Sequence, residues 1–432
     1  MYISRLYSGI IFAGLYLSLT FTAYPQSTVN LTLEQCIDTV QQRSFLLHAE
    51  AFNSEATKSY ALVSHTRTLP WVSAEAGMEN RFLSPYNFGQ QWATIHGDWS
   101  LGDFILKTDA PARQEVITAQ YQQEKTRLDA IGRVSALYMS IIQKQTERSL
   151  LSHQLSLLQK HRSLTESLWK AGLRTQIDVL RTEAEISGIE ETINHTVTEE
   201  DKLRIELARL LGLKPVDTLL LKRLSAEKLV YDIAVPPADT VLLSGNPMIK
   251  ILESEIEVSK LSSRLISARQ WPHLFIGSGY FGDHDPTGDG NYWLINAGIS
   301  IPIYRFGSIK YQQQESNART RVLDYRLYDL YRELSIHQQQ VLEHMKKIKE
   351  LMTIQEKRLE TAQQALELAA TNYQAGLITN LEYLTLQQQV TNTGIHIEEV
   401  RLEYIMYLIE YYLTNNQVDK IIHLGIYSIS KN

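Results

Sequence analysis

Only one of the 432 residues is a cysteine, Cys36. It excludes an internal disulfide and any metal site built from several thiolates. Basic charge is scarce: 42 Lys and Arg against 48 Asp and Glu give a formal net charge of −6. That balance disfavours nucleic acid as a partner, because phosphate binding needs a basic surface. After residue 25 no apolar run is long enough for a membrane-crossing helix. Catalytic signatures are missing too. There is no HExxH, and Gly277, Gly279 and Gly282 lie in strand and loop with no helix following, so they are not a phosphate-cradling loop. His337 and His344 sit among glutamines on a long helical run and read as solvated or tunnel-lining residues. Asp283, Asp285 and Asp289 imitate the start of a calcium loop, but Leu294 stands where a bidentate Glu is required. A turn of Asp, Pro and Gly explains that stretch better. Neither an enzyme nor a cofactor or metal site is expected.

Glycine and proline are both absent from residues 308–375, and none of the 11 prolines interrupts a long periodic run. Those silences mark out very long helices. Residues 110–170 contain Pro111, which fits a first helical turn, and a single glycine, Gly132. At ~1.5 Å per residue, the helices over 110–170 and 308–374 are on the order of 90–100 Å long. Along the second, Val341, Met345, Ile348, Met352, Gln355, Leu359, Ala362, Leu366, Ala369 and Tyr373 alternate steps of four and three. That is a coiled-coil seam with one polar member, Gln355.

One phrase occurs twice. Residues 169–180 read Trp-Lys-Ala-Gly-Leu-Arg-Thr-Gln-Ile-Asp-Val-Leu, and residues 373–384 read Tyr-Gln-Ala-Gly-Leu-Ile-Thr-Asn-Leu-Glu-Tyr-Leu. Each copy ends one long helix and begins another, so the chain reads as two copies of one unit. Residues 1–25 read as a signal peptide, with a non-cleaved anchor as the alternative. The first repeat spans 26–212: a helix, a β-hairpin at 71–101, the long helix 110–170 and a helix at 175–211. Thr32 and Gln35 form a candidate capping box for its opening helix. A weakly periodic connector covers 213–245. The second repeat spans 246–413: a helix, a β-hairpin at 272–303, the long helix 308–374 and a helix at 379–413. A polar C-terminal tail, expected to be poorly ordered in part, covers 414–432.

The hairpins alternate with period two. Ser73 and Glu75 face away from Val72, Ala74 and Met78, and Thr94, His96 and Asp98 face away from Ala93, Ile95 and Trp99. Trp71, Trp92, Trp99, Trp271 and Trp293 lie in or beside these strands and are candidate membrane-interface aromatics. Four strands cannot close a barrel, and only a closed barrel satisfies strand backbones in lipid. Three copies would supply twelve strands, an even number of the kind barrels use.

With these features in this order, the chain resembles the TolC-type outer-membrane efflux proteins over about residues 30–415. The resemblance is carried by Leu31-Thr32-Leu33-Glu34-Gln35, by Asn246-Pro247, and by Ala268-Arg269 through Trp271-Pro272 to Gly279-Tyr280. Gly298 through Ile301-Pro302-Ile303 and the two Ala-Gly-Leu-x-Thr turns complete it. It implies a mainly α fold with membrane β: very long coiled-coil helices forming an α-barrel tunnel, and four strands per chain in a trimeric twelve-stranded β-barrel. It implies a homotrimer in the lipid of the cell outer membrane with its tunnel in the periplasm. A periplasmic adaptor and an energised inner-membrane pump are the implied partners. By the same resemblance Gly172, Leu173, Thr175, Gly376, Leu377 and Thr379 are adaptor-docking tips, and Tyr373 and Glu382 belong to a periplasmic gate. Two positions depart from the pattern: Ile378 stands where an Arg is expected, and Thr385 where a second acid is expected. A closed gate must then use different links or be looser. The implied function is an exit duct for small molecules, drugs or metal ions. The alternatives are the outer-membrane duct of type I protein secretion and a periplasmic coiled-coil scaffold without a channel.

Overall fold

The computed structural model describes residues 28–83, 86–213, 218–222, 226–237, 242–285, 288–303 and 305–424. The expected signal peptide at 1–25, the end of the expected tail at 425–432 and the side chains of the Asp-rich loop at 283–289 lie outside the described residues.

A short strand β1 (Thr28–Leu31) leads into α1 (Leu33–Arg43) and α2 (Phe45–Thr66). Thr32 caps α1 through the full box with Gln35: Thr32 N–H donates to Gln35 Oε1 at 2.9 Å, and Gln35 N–H to Thr32 Oγ1 at 3.2 Å. The hairpin β2 (Trp71–Leu83) and β3 (Tyr86–Ser100) follows. A short α3 (Leu101–Leu106), the long α4 (Ala110–Lys170) and α5 (Gln176–Leu210) complete the first half. The segment after it is more structured than its weak periodicity suggests. It contains β4 (Thr218–Leu221), α6 (Ala226–Asp232) and a 3-10 turn (Leu242–Gly245). The second half runs α7 (Pro247–Ala268), β5 (His273–Asp285), β6 (Gly288–Ser300), α8 (Ser308–Gln374) and α9 (Asn380–Thr414).

The hairpins exit differently. After β3, Ser100 accepts from Asp103 N–H and turns the chain directly into α3. After β6, residues 301–303 stay irregular around Pro302, and Gly307, at φ +77°, starts α8.

The four long strands form one antiparallel sheet in the order β2-β3-β5-β6. Its two faces differ. Val72, Met78, Ile95, Ile276, Tyr280, Trp293, Ile295 and Ile299 share one face and are exposed. On the side next to the sheet the helices pack in the order α2-α4-α7-α8, and toward the turns in the order α5-α4-α9-α8. The seam foreseen on α8 is real: Val341, Met345, Ile348, Met352, Gln355, Ala362, Ala369 and Tyr373 are buried, with Leu359 and Leu366 half-buried.

The main core is a belt at mid-height. Ile131, Tyr138 and Ile142 of α4 meet Met345 of α8, Tyr404 and Leu408 of α9, and Leu219 and Leu229 from between the halves. β1 pairs in parallel with β4, tying the start of the described chain to this belt. Buried tyrosines fasten its irregular backbone: Tyr138 donates to Lys222 O, Tyr404 to Ile233 O at 3.0 Å and Tyr411 to Pro237 O at 2.9 Å. The expected polar tail is also corrected. Residues Val418–Leu424 form α10, and Val418, Ile421 and Leu424 are buried in the belt against α1 and α9. Their three-residue spacing, too short to stand out in sequence, presents one apolar stripe.

Candidate functional site

The two Ala-Gly-Leu turns lie at the end of the molecule away from the sheet, where α4 returns as α5 and α8 as α9. Both are Schellman motifs. Gly172 N–H donates to Trp169 O at 2.8 Å and Leu173 N–H to Leu168 O at 2.9 Å; Gly376 donates to Tyr373 O at 3.1 Å and Leu377 to Asn372 O at 2.9 Å. Gly172 and Gly376 have φ of +75° and +81° with open space where a side chain would point, so conformation alone demands glycine. The Thr and the acid of the repeated phrase are a capping box in each copy. Thr175 N–H and Oγ1 donate to Asp178 Oδ2 at 3.2 and 2.9 Å, and Thr379 N–H and Oγ1 to Glu382 Oε2 at 2.7 and 2.9 Å. Those bonds to Thr379 hold the exposed Glu382 carboxyl below the usual range. Leu173 and Leu377 are 69% and 74% exposed at the tips.

The two turns are fastened to one another. Arg174 reaches from the first turn to the second and donates to Tyr373 O at 2.7 Å and Ile378 O at 3.0 Å. Its guanidinium carbon lies 4.2 Å from the centre of the Tyr373 ring. Tyr373 is 1% exposed, its hydroxyl is 3.1 Å from Thr165 Oγ1, and burial pushes its pKa up. Arg174 thus binds the backbone of residue 378, the position where the resemblance implies an arginine.

Sequence reasoning missed the residues beneath this link. His161 on α4 sits 2.7 Å from Asn380 Oδ1, and Asn380 Nδ2 donates to Asp178 O at 2.9 Å and Thr182 Oγ1 at 3.1 Å. Their signal was available: Leu151, Gln154, Leu158, His161 and Thr165 are buried at alternating steps of three and four. A search for polar residues at seam positions, not apolar ones alone, finds them.

At the other end, the sheet's second face carries Ser73, Glu75, Thr94, His96, Asp98 and Asn296, and all of these but Ser73 border a hollow of ≈ 450 Å³ together with Phe281 and Tyr292. Ser73 Oγ lies 2.9 Å from His96 Nε2, and Asp98 Oδ2 3.7 Å from it. Strand register divides the five tryptophans. Trp99 and Trp293 share the apolar face, and Trp271 stands just before β5. Trp71 and Trp92 instead register with Ser73, Glu75 and His96 on the polar face. Trp92 lies over Gly77, where an added Cβ would come 2.5 Å from the indole, and Phe275 lies over Gly298 at 2.4 Å. Glycine lets these rings lie flat against the wall of the sheet.

No protein-family profile matches the chain. It is 21% identical over 378 residues to the pyoverdine export outer membrane protein OpmQ of Pseudomonas aeruginosa, covering 82% of this chain and 79% of that protein. Among solved structures, CusC superposes with a TM-score of 0.81 at 13% identity, covering 91% of this chain and 95% of that one. VceC of Vibrio cholerae superposes with a TM-score of 0.76 at 15% identity, covering 89% and 95%. These relatives are outer-membrane proteins and channels, not enzymes. The resemblance carried by the repeated turns and strand pairs is borne out in the fold: the chain has the fold of the TolC-type outer-membrane channels.

Proposed function

We propose that three copies of this chain close into one exit duct, fed by an inner-membrane pump through a periplasmic adaptor. The observation that carries this reading is the sheet. Its order β2-β3-β5-β6 leaves β2 and β6 with one unpaired edge each, and its exposed face is apolar. In lipid those edges must be paired, and pairing β6 of one copy with β2 of the next closes a ring with the polar face inward. The helices repeat the pattern. α2 exposes Phe45, Phe52, Tyr60 and Leu62 on one flank, and α8 exposes Tyr311, Val322, Tyr325 and Tyr328 on the other. Apolar patches of that extent mark interfaces.

In the assembled duct Leu173 and Leu377, with Gly172, Thr175, Gly376 and Thr379, form the adaptor-docking edge. Tyr373 and Glu382 stand at the periplasmic gate, where three Glu382 carboxylates favour cations through their summed field. The pyoverdine export named for the curated relative favours a small-molecule cargo over a secreted protein. The exposed apolar sheet face argues against a soluble scaffold.

Mass measurement in detergent and single-channel recording test the reading together. A trimer that conducts is expected; a monomer, or recovery in the soluble periplasm, refutes it. Glu382→Gln keeps a capping residue and removes the charge, so an unchanged ion selectivity would remove Glu382 from the gate.

A further inference from the structure

Close to the turns, the packing between the two helical hairpins is polar and buried. His161 is 4% exposed, and its Nε2 meets Asn380 Oδ1 at 2.7 Å. Asn380 spends its amide nitrogen on α5, donating to Asp178 O and Thr182 Oγ1. Its oxygen must therefore accept, which places the imidazole proton on Nε2 and leaves Nδ1 bare. The ring stacks on Tyr383 at 4.0 Å and tilts against Tyr373 at 4.8 Å. A single buried side chain thus touches α8 and α9 and, through Asn380, α5. The charged and titratable groups around it are Arg174 from the first turn, Tyr373 of α8, Tyr383 of α9, and Asp178 of α5. The Asp178 carboxylate is engaged with Thr175. Burial pushes both tyrosine pKa values up, so both stay neutral. Among the described residues no carboxylate forms an ion pair with His161.

We propose that His161 is the positioning residue that holds the second hairpin against the first in the closed duct, and that a proton added at Nδ1 releases the two hairpins and opens the periplasmic end. This rests on the duct reading above. The added proton would make a cation of a side chain that is only 4% exposed and would set it beside the Arg174 guanidinium. The face of Tyr383 offsets this only in part. Burial, reinforced by Arg174, holds the His161 pKa below its ordinary 6.5. For a base with a depressed pKa the docked state prefers the neutral ring. The link is therefore intact above about pH 6.5 and weakens as pH falls toward the docked-state pKa, by up to about tenfold per pH unit for one proton. His161→Gln keeps a donor toward Asn380 and cannot be protonated.

Amide hydrogen exchange of the full-length protein in detergent, corrected for intrinsic rates, reads the link directly. Protection at 158–166 and 380–387 should fall, by up to about tenfold, between pH 7.5 and 5.5 in the wild type, and should not change in His161→Gln. Unchanged wild-type protection at pH 5.5 overturns the proposal even if the variant fails to fold. So does an equal acid-induced loss in His161→Gln. Bilayer recordings with the periplasmic side acidified should show raised open probability in wild type alone; channels that conduct without that rise overturn the gating role. Failure to form channels at all would count against the duct reading, while exchange would still decide whether His161 ties the hairpins.

Discussion

Replacing Arg174 with Ala should loosen the second turn without unfolding the molecule. The side chain makes two charge-assisted hydrogen bonds to carbonyl oxygens and covers one face of Tyr373. Hydrogen bonds to charged groups contribute roughly 1.5–3 kcal/mol each, and an exposed cation–π contact about 0.5–1 kcal/mol. Two corrections lower the sum. Arg174 is only half-buried, so water competes for its guanidinium, and Tyr373 O keeps a second donor in Gly376 N–H. A net loss of about 2 kcal/mol in the local docking of the turn remains, equivalent to about 30-fold in its opening equilibrium. Hydrogen exchange should register this as an approximately 30-fold loss of protection at Gly376 and Leu377, with the belt amides around Tyr404 unaffected. Arg174→Lys should recover less than half the effect, because an ammonium cannot reach both carbonyls as a fork. Unaltered protection in Arg174→Ala, or full recovery by Lys, would refute the reasoning.

Gly376→Ala should cost about 1–2 kcal/mol through the positive φ alone, seen as faster proteolysis at the turn; since nothing crowds the site, Gly376→Asn should be milder. Tyr404→Phe removes the donor to Ile233 O and should lower the unfolding free energy by about 1–2 kcal/mol in denaturant titration, with no change in conductance. Gly77→Ala should displace Trp92 from its seat and reduce single-channel conductance, whereas the same change at Gly290, with open space around it, should do neither. The Thr379–Glu382 cap should fade in acid. The folded-state pKa of Glu382 is depressed below 4.5, so its contribution is whole above that value and lost as pH falls through the lower one, measurable as increased exchange at 380–383.

The large-scale plan was written plainly in the chain. Scarcity of Gly and Pro marked the two longest helices, period-two alternation marked the strands, and the doubled phrase marked two turns in which the Gly, the Thr and the acid each have a local task. Gly takes the positive φ, Thr caps, and the acid closes the box. All of these depend on contacts within a few residues. What stayed hidden depends on contacts far apart in sequence. β1 pairs with β4 about 190 residues away, α10 finds its cover in α1, and the tyrosine hydroxyls of α4 and α9 serve backbone between the halves. Arg174 and Ile378 occupy equivalent positions, so their difference was visible. That Arg174 reaches across to the backbone of residue 378 follows only from the packing of the first hairpin against the second. The face each tryptophan takes was legible from parity, since Trp71 alternates in step with Ser73 and Glu75.

The open sheet makes each chain a link with two different ends, β2 and β6. Such links join head to tail, and a ring of them fails at its weakest joint. A variant that blocks only the β6 edge can still be seized through its intact β2 edge. On the three-copy reading, equal co-expression of such a variant would leave only about one ring in eight free of it. Damage to a single edge should therefore behave as genetically dominant, while complete loss of the chain should be recessive.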